Sequence, residues 1–455
     1  MKHFAWHWLV ASSLLLGTLT QAQVRPRYGG TLHVMTRAAV TTLDPADGAA
    51  VDSFGRRSIT SLLFDTLVSI DDSGASKPGL AESWQTTRAS QRWEFRLRQG
   101  VKFQDGTPLT AEIVAASLRA ANPSWNVSVG ENGIAIERDA TDSELLAELA
   151  LQRNSIIKRD TDKVVGTGPF QVLEWQPGKK LTVTANENYW RGRPYLDAIE
   201  IEMGKSFHDQ MAALEMRKAD LVEVVPEQTH RLLQEGRRLT RSAPEELLAL
   251  VFSRDAASPE ERTLRQALAL SVERGSIRNV LLQGDGEPSG GLLPTWISGY
   301  GFVFPTGADL PKARQLRDQV RTVPAWKVGY ESSDALARLL AERIALNARD
   351  AGLSLQPTAA ASSDMHVVRI PIASGDPWLA FDELLAQAGL PAPKNQSGSL
   401  QELLTSEQAM LAGGRVIPLF HLPVSYAATE NLKDWTLRID GSWALGDAWL
   451  ENARP

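Results

Sequence analysis

Apolar and charged residues alternate along Trp93-Glu94-Phe95-Arg96-Leu97-Arg98, along Ile199-Glu200-Ile201-Glu202-Met203, and along Trp435-Thr436-Leu437-Arg438-Ile439. A period of two sends one set of side chains to each face, so each segment predicts a strand with one buried face. A helical period runs through Leu336, Leu339, Leu340 and Ile344, with Arg338, Glu342 and Arg343 among the intervening residues. Gly352 is expected to end that helix, before a short strand-like Leu353-Ser354-Leu355. Ser258-Pro259-Glu260-Glu261 has the capping-box pattern with proline at the first helical position, and opens a helix through Leu264, Leu268 and Val272. Thr110 predicts the cap of a third helix, with Glu112 in its first turn. Strands and helices alternate, which argues for a mixed α/β architecture. Turn-rich punctuation falls at 71–74, 284–286 and 288–291, and no repeat or long linker divides the chain. Its domains are therefore expected to be interleaved or tightly abutted.

The first residues read differently. Lys2 and two histidines precede an apolar stretch around Trp8–Leu19, and Thr20-Gln21-Ala22 follows with a small residue at a cleavage position. That is the pattern of a cleaved export signal over residues 1–22, leaving a new terminus near Gln23. The apolar run falls short of the ~20 residues a spanning helix needs. The chain has no cysteine, which excludes disulfides, thiolate nucleophiles and an acylated-cysteine anchor. The expected location is periplasmic or secreted.

Composition narrows the function classes. The 455 residues are 43% hydrophobic with a formal charge of -6, which suits a globular chain of two or three domains. No basic stripe is present, so nucleic acid is not an expected partner. The catalytic motifs Gly-x-Ser-x-Gly, His-Glu-x-x-His and Gly-x-x-x-x-Gly-Lys are all missing. None of His33, His208, His230, His366 and His421 is spaced as a metal-ligand pair. His421, inside an apolar strand, reads as a structural histidine. No catalysis, cofactor or metal is therefore expected. A secreted hydrolase built on paired carboxylates is the alternative from the enzyme class.

Several segments together resemble one family. Pro78-Gly79-Leu80-Ala81-Glu82-Ser83-Trp84 is followed by Phe95-Arg96-Leu97-Arg98-Gln99-Gly100-Val101-Lys102-Phe103 and Gln104-Asp105-Gly106-Thr107-Pro108-Leu109-Thr110-Ala111-Glu112. Gly166-Thr167-Gly168-Pro169-Phe170, Asn188-Tyr189-Trp190, Arg265-Gln266-Ala267-Leu268 and Val416-Ile417-Pro418-Leu419-Phe420-His421 then fall in order. The chain is similar in these to the family 5 extracellular solute-binding proteins, which serve dipeptide, oligopeptide and nickel importers. The first stretch is a scaffold signature: Gly100 and Asp105-Gly106 supply turns, and Thr110 starts a helix.

The resemblance implies a two-lobed periplasmic-binding-protein-like α/β fold of the class II type, with an additional inserted domain. Domain I would combine residues 23–43, 166–250 and 430–455; domain II would be a short insertion, 44–165; domain III would be an outer lobe, 251–429. Crossings near Phe252-Ser253 and Ala428-Thr429 would act as hinges around a ligand cleft. The implied partners are a peptide-like, chelated or other small solute and the membrane permease of an ABC importer, with the protein a monomer. A transport-inactive sensor or scaffold on the same fold is a further alternative. Peptide-binding members carry an aspartate for the ligand's α-amine shortly before an Asp-Pro pair. Here Asp376-Pro377 is present, but Ala373 stands at the aspartate position. That argues against an ordinary peptide.

Small-molecule clefts combine rigid aromatic walls with a few polar groups. Trp296 and Trp378, each expected in an outer-lobe loop, are candidate walls, with Asp376 beside the second. On the facing side the resemblance places Asp47, Asp52 and Phe54 toward the ligand. Asp47 or Asp52 is a candidate for receiving a cationic group, the alternative being a solvated acidic loop. Asn126-Val127-Ser128 and Asn395-Gln396-Ser397 fit the glycosylation pattern, which has meaning only on a eukaryotic secretory route.

Overall fold

Strand Arg92–Leu97 buries Trp93, Phe95 and Leu97 on one face, and strand Ala198–Glu202 buries Ile199 and Ile201, as their alternation predicts. The computed structural model describes residues 25–71, 73–87, 91–138, 144–160, 163–360, 362–393 and 398–452. The expected leader and the Asn395-Gln396-Ser397 pattern lie outside the described residues. The helical period also holds. Helix Ala335–Asp350 buries Leu336, Leu340 and Ile344, and Gly352 follows it at φ +80°, the left-handed conformation that ends a helix without a side-chain penalty. Ser258 accepts from the Glu261 backbone N–H at 3.2 Å, but Glu261 turns its carboxylate to the N–H of Ala257 at 2.9 Å rather than to the cap residue. The reciprocal bond of the capping box is thus displaced by one residue. Its other oxygen holds Arg265 at 2.6 Å.

An 11-stranded mixed sheet runs through both lobes. Its order is Phe170–Gln176, Lys180–Ala185, Ala198–Glu202, Thr31–Met35, Leu221–Val224, Val416–Ala428, Leu239–Phe252, Met365–Pro371, Ala325–Gly329 and Ser354–Thr358, with Glu287–Pro288 pairing off this path. The two long strands, Leu239–Phe252 and Val416–Ala428, carry the chain between lobes. Leu247–Leu250 pack in the outer-lobe cores, whereas Tyr426 and Ala427 pack in those of the first lobe. Between them the ladder shifts register on both sides of Pro244, which faces Pro423. Neither proline has an N–H to donate, so the sheet is weakest where it changes lobe. The register shifts flanking Pro244 thus lie several residues inside the strand ends at Phe252 and Ala428, near which the resemblance implies hinges.

The insertion has its own four-stranded antiparallel sheet, in the order Ala81–Thr87, Arg92–Leu97, Gly133–Glu137, Asn126–Gly130, covered by helix Ala111–Ala121. Its core begins at Leu67. Helix Phe54–Leu63, expected within the insertion, instead buries Ile59, Leu62 and Leu63 against Leu32, Ile199 and Trp443 of the first lobe. Gly166 and Gly168 close the return into this lobe: a Cβ at Gly166 would stand 2.1 Å from the Leu63 carbonyl oxygen, and one at Gly168 would stand 2.4 Å from the carbonyl carbon. The strand expected at Trp435–Ile439 is only Thr436–Leu437, paired with Trp443–Ala444 in a hairpin outside the large sheet. No helix among the described residues is long and apolar enough to cross a membrane.

Candidate functional site

Two adjoining cavities, of about 310 and 280 Å³, occupy the space where the three parts meet. Leu151 and Gln152 of the insertion, Ala373 of the outer lobe and Asp440 of the C-terminal hairpin line both. The first continues over Asp65, Tyr189, Ser374, Gly375, Arg438 and Asp447; the second over Asp47, Asp52, Arg57, Arg153 and Glu383.

Arg57 is the most constrained side chain here. Helix Phe54–Leu63 begins with Ser53 accepting from the Arg56 N–H, which fixes the first turn and aims Arg57 at the lobe boundary. Its Nε donates to both oxygens of Asp52 at 3.1 Å, and its Nη2 donates to Asp52 again. Nη1 donates to the carbonyls of Ile372 at 2.8 Å and Asp440 at 3.0 Å, and Nη2 to that of Pro371 at 3.2 Å. Burial opposes its charge, but Asp52 above all, with Asp440 nearby, outweighs this and holds it above the ordinary arginine value.

The first cavity rests on a second buried network. Asp65 accepts from Thr167 Oγ1 at 2.8 Å, Trp190 Nε1 at 3.0 Å and Tyr189 OH at 3.1 Å. Burial, then the Asp65 charge, pushes the Tyr189 phenol above its usual range, so it stays a neutral donor. Arg438 donates to Ser61 Oγ at 3.0 Å and to the Trp443 carbonyl. Two acidic groups of the same cavity are already engaged: Asp440 accepts from Ser442 Oγ at 2.6 Å, and Asp434 from Trp449 Nε1 at 2.7 Å. The family's Asn188-Tyr189-Trp190 motif thus builds the floor of a cavity as well as a core.

The six residues singled out in the sequence do not converge. Asp47 and Asp52 line the second cavity, but Asp52 is committed to Arg57. Phe54 lines a further opening of about 780 Å³ with Asp52, which borders both, and with Arg37, Glu223, Glu246 and Arg369. Trp296 lies in the short helix Thr295–Ser298, 37% exposed, and donates to the Pro244 carbonyl at 2.9 Å. Asp376 caps helix Pro377–Gln387 through the Leu379 N–H, so its carboxylate has a structural partner. Trp378 is not in a loop. It is the second residue of that helix, buried in the outer-lobe core beside Phe381, and donates to the Gly398 carbonyl at 2.9 Å. Proline at the first helical position and aspartate before it were the signal that it starts a helix. What the pattern did not single out is Arg57, Arg438, Asp440 and Glu383.

His421 is buried, bonded from Nε2 to the Leu292 carbonyl at 2.9 Å, and burial pushes it down to about 4. Among the described residues no group of three or more His, Cys, Asp or Glu could hold a metal ion.

The profile of the bacterial extracellular solute-binding proteins, family 5, matches residues 75–366. The chain belongs to this family. Family 5 proteins are extracytoplasmic solute binders, and the relatives found carry peptide, nickel and glutathione names. The oligopeptide-binding protein AppA of Bacillus subtilis is 26% identical over 325 residues, covering 63% of this chain and 57% of that protein. The nickel-binding protein NikA of Staphylococcus aureus is 24% identical over 241 residues, covering 50% and 49%. The matched region therefore spans about half to three-fifths of these relatives' length. Among solved structures, NikA from Brucella suis in complex with Fe(III)-EDTA superposes with a TM-score of 0.79 at 19% identity, covering 92% of this chain and 99% of that one. The periplasmic binding protein DppA from Helicobacter pylori, in complex with peptide STSA, gives 0.79 at 18% identity, covering 94% and 99%. These likenesses show the two-lobed α/β fold.

Proposed function

We propose that this chain is the substrate-binding component of an ABC importer, capturing a small solute between its lobes and delivering it to a permease by hinge closure, with no turnover of its own. The observation that carries this is the pair of cavities walled by all three parts of the chain, with Ala373 and Asp440 common to both. A solute held there touches each lobe and so stabilises their closed arrangement. The proline-paired crossing at Pro244 and Pro423 is where the sheet gives way.

The solute class follows from the walls. Asp65, Asp434, Asp440 and Asp447 outnumber Arg191 and Arg438 in the first cavity. With Ala373 offering no carboxylate at the family's α-amine position, the reading is a small cationic or amphipathic solute rather than an ordinary dipeptide.

Native mass spectrometry of the chain purified under non-denaturing conditions from its own host tests this. A stoichiometric small adduct that is lost on denaturation is the expected result. Absence of any adduct, with no thermal shift from amines, dipeptides, metal chelates or sugars, would favour a transport-inactive scaffold. Multiple-turnover conversion of a peptide or glycoside would instead establish the hydrolase.

A further inference from the structure

Every N–H of the Arg57 guanidinium has an acceptor. Nε and one hydrogen of Nη2 meet Asp52; the other three meet the carbonyls of Pro371, Ile372 and Asp440. The side chain is 4% exposed although it borders a cavity. It therefore has no donor left for a solute in this arrangement. Its helix is rooted in the first-lobe core, whereas Ile372 belongs to the outer-lobe core with Trp378 and Phe381. The bonds to Pro371 and Ile372 thus exist only while the lobes are together.

Position adds a second consequence. Ala373, next in the chain after Ile372, and Asp440 both line the two cavities. One planar fork holds the backbone beside each, on opposite walls. We propose that Arg57, oriented by Asp52, is a built-in interlobe latch that closes the cleft without solute and positions Ala373 and Asp440 across it.

The surroundings suit that role. Glu245, 1% exposed, lies on the crossing strand, and its carbonyl accepts from the Ile372 N–H at 2.7 Å. Burial, then the nearby Asp440, pushes its carboxyl up to about 9, so it is uncharged at neutral pH and leaves Arg57 to Asp52. Opening would expose the carbonyls of Pro371 and Ile372, but water repays part of that loss. A charge-assisted fork makes the closed state favoured rather than permanent.

The proposal rests on the cleft being the solute site, but its test needs neither solute nor permease, so it fails separately from the transport reading. The chain has no cysteine, so cysteines introduced at the exposed Glu131 of the insertion and Gln401 of the outer lobe can carry spin labels. Distances between them are measured on full-length protein freed of solute by unfolding and refolding. A major short-distance population, with a minor longer one that solute would draw in, is expected with Arg57 intact. Arg57→Gln should shift the major population to longer distances, and Arg57→Lys, with a charge but no fork, should leave a mixture. If Arg57→Gln fails to fold, Asp52→Asn keeps the guanidinium but loosens its orientation, and should also lengthen the distances. An open distribution in the parent protein would overturn the proposal. So would an unchanged one in folded Arg57→Gln, or in Asp52→Asn where that variant is the one measured.

Discussion

Arg153 of the insertion meets Glu383 of the outer lobe with 2.5 Å between Nη1 and Oε1, bridging the edge of the second cavity. Burial works against the Arg153 charge, but Glu148 and Glu383 together hold it above the ordinary value. Glu148 binds the same guanidinium through both oxygens at 2.7 Å, so loss of Glu383 does not strand it. Arg153 is also 37% exposed, where water screens the pair. Glu383→Gln should therefore lower unfolding free energy by only about 0.5–1 kcal/mol, and by less at high salt. Chemical denaturation at two ionic strengths checks this, and a salt-independent loss of several-fold that size would contradict it.

Trp378→Ala should act on stability and leave solute affinity of the folded protein unchanged. The ring is 4% exposed, packs edge-on to Phe381 with centroids 6.4 Å apart, and satisfies the Gly398 carbonyl. Truncation leaves a cavity and an unpaired acceptor, for which a loss of about 3–5 kcal/mol is expected. Denaturant titration gives the number. A stable variant with weakened solute binding would return the ring to the site.

The contrast between Trp378 and Arg57 explains what the sequence discloses. Periodicity speaks about which face of an element is buried, and it gives the strands around Phe95 and Ile199 and the helix through Leu340. Motif order gives the family and, through Ala373, one true wall of the cleft. A site between lobes is assembled from residues hundreds of positions apart. Nothing local to Arg57 states that Pro371 and Asp440 will stand against it. The acidic run from Asp44 to Asp52 followed by Arg56-Arg57 was the available signal, since a buried arginine needs a carboxylate close by. Asp376 and Trp378 present the opposite case, since the structure gives each a structural partner. Their local pattern, Asp-Pro opening a helix, accounts for both side chains without a ligand.

Ala373→Asp supplies the carboxylate that peptide-binding relatives are expected to use at this position. Ala373 borders both cavities, so the new group would face the cleft. A charged acceptor for an ammonium contributes about 1.5–3 kcal/mol, which corresponds to roughly ten- to a hundredfold in affinity. Calorimetric titration with alanyl-alanine should show weak or no binding in the parent protein and a measurable gain in the variant. Tight binding by the parent would remove the argument from Ala373.

The last prediction concerns pH and two buried groups with opposite signs. Burial, then Asp440, raises Glu245 from 4.5 to about 9, while burial lowers His421 from 6.5 to about 4. In the folded chain Glu245 retains a proton that the unfolded chain releases from pH 4.5 upward. Its contribution to stability therefore falls as pH rises through 4.5–9 and is flat beyond. His421 is the mirror case: the unfolded chain takes up a proton below 6.5 that the folded one refuses until about 4, so its contribution falls as pH drops through that window. Between 4.5 and 6.5 these two slopes cancel, and above 6.5 the Glu245 slope no longer has that of His421 against it. Glu407, which burial raises to about 7, adds a slope of the same sign as Glu245 up to that pH. Glu245→Gln removes the Glu245 slope while keeping the shape of the side chain. At pH 7 the variant should gain up to about 3.5 kcal/mol relative to the parent, taking about 1.4 kcal/mol per pH unit over the 2.5 units from 4.5. The gain should grow toward pH 9 and vanish near pH 4.5. His421→Gln should instead leave the Glu245 slope unopposed, so that stability falls with rising pH already between 4.5 and 6.5, with the alkaline side as it was. Unfolding free energies from pH 4 to 9 for the parent and both variants decide the matter, and an Glu245→Gln profile parallel to the parent's would mean that Glu245 is charged in the folded protein and finds its partner in Arg57.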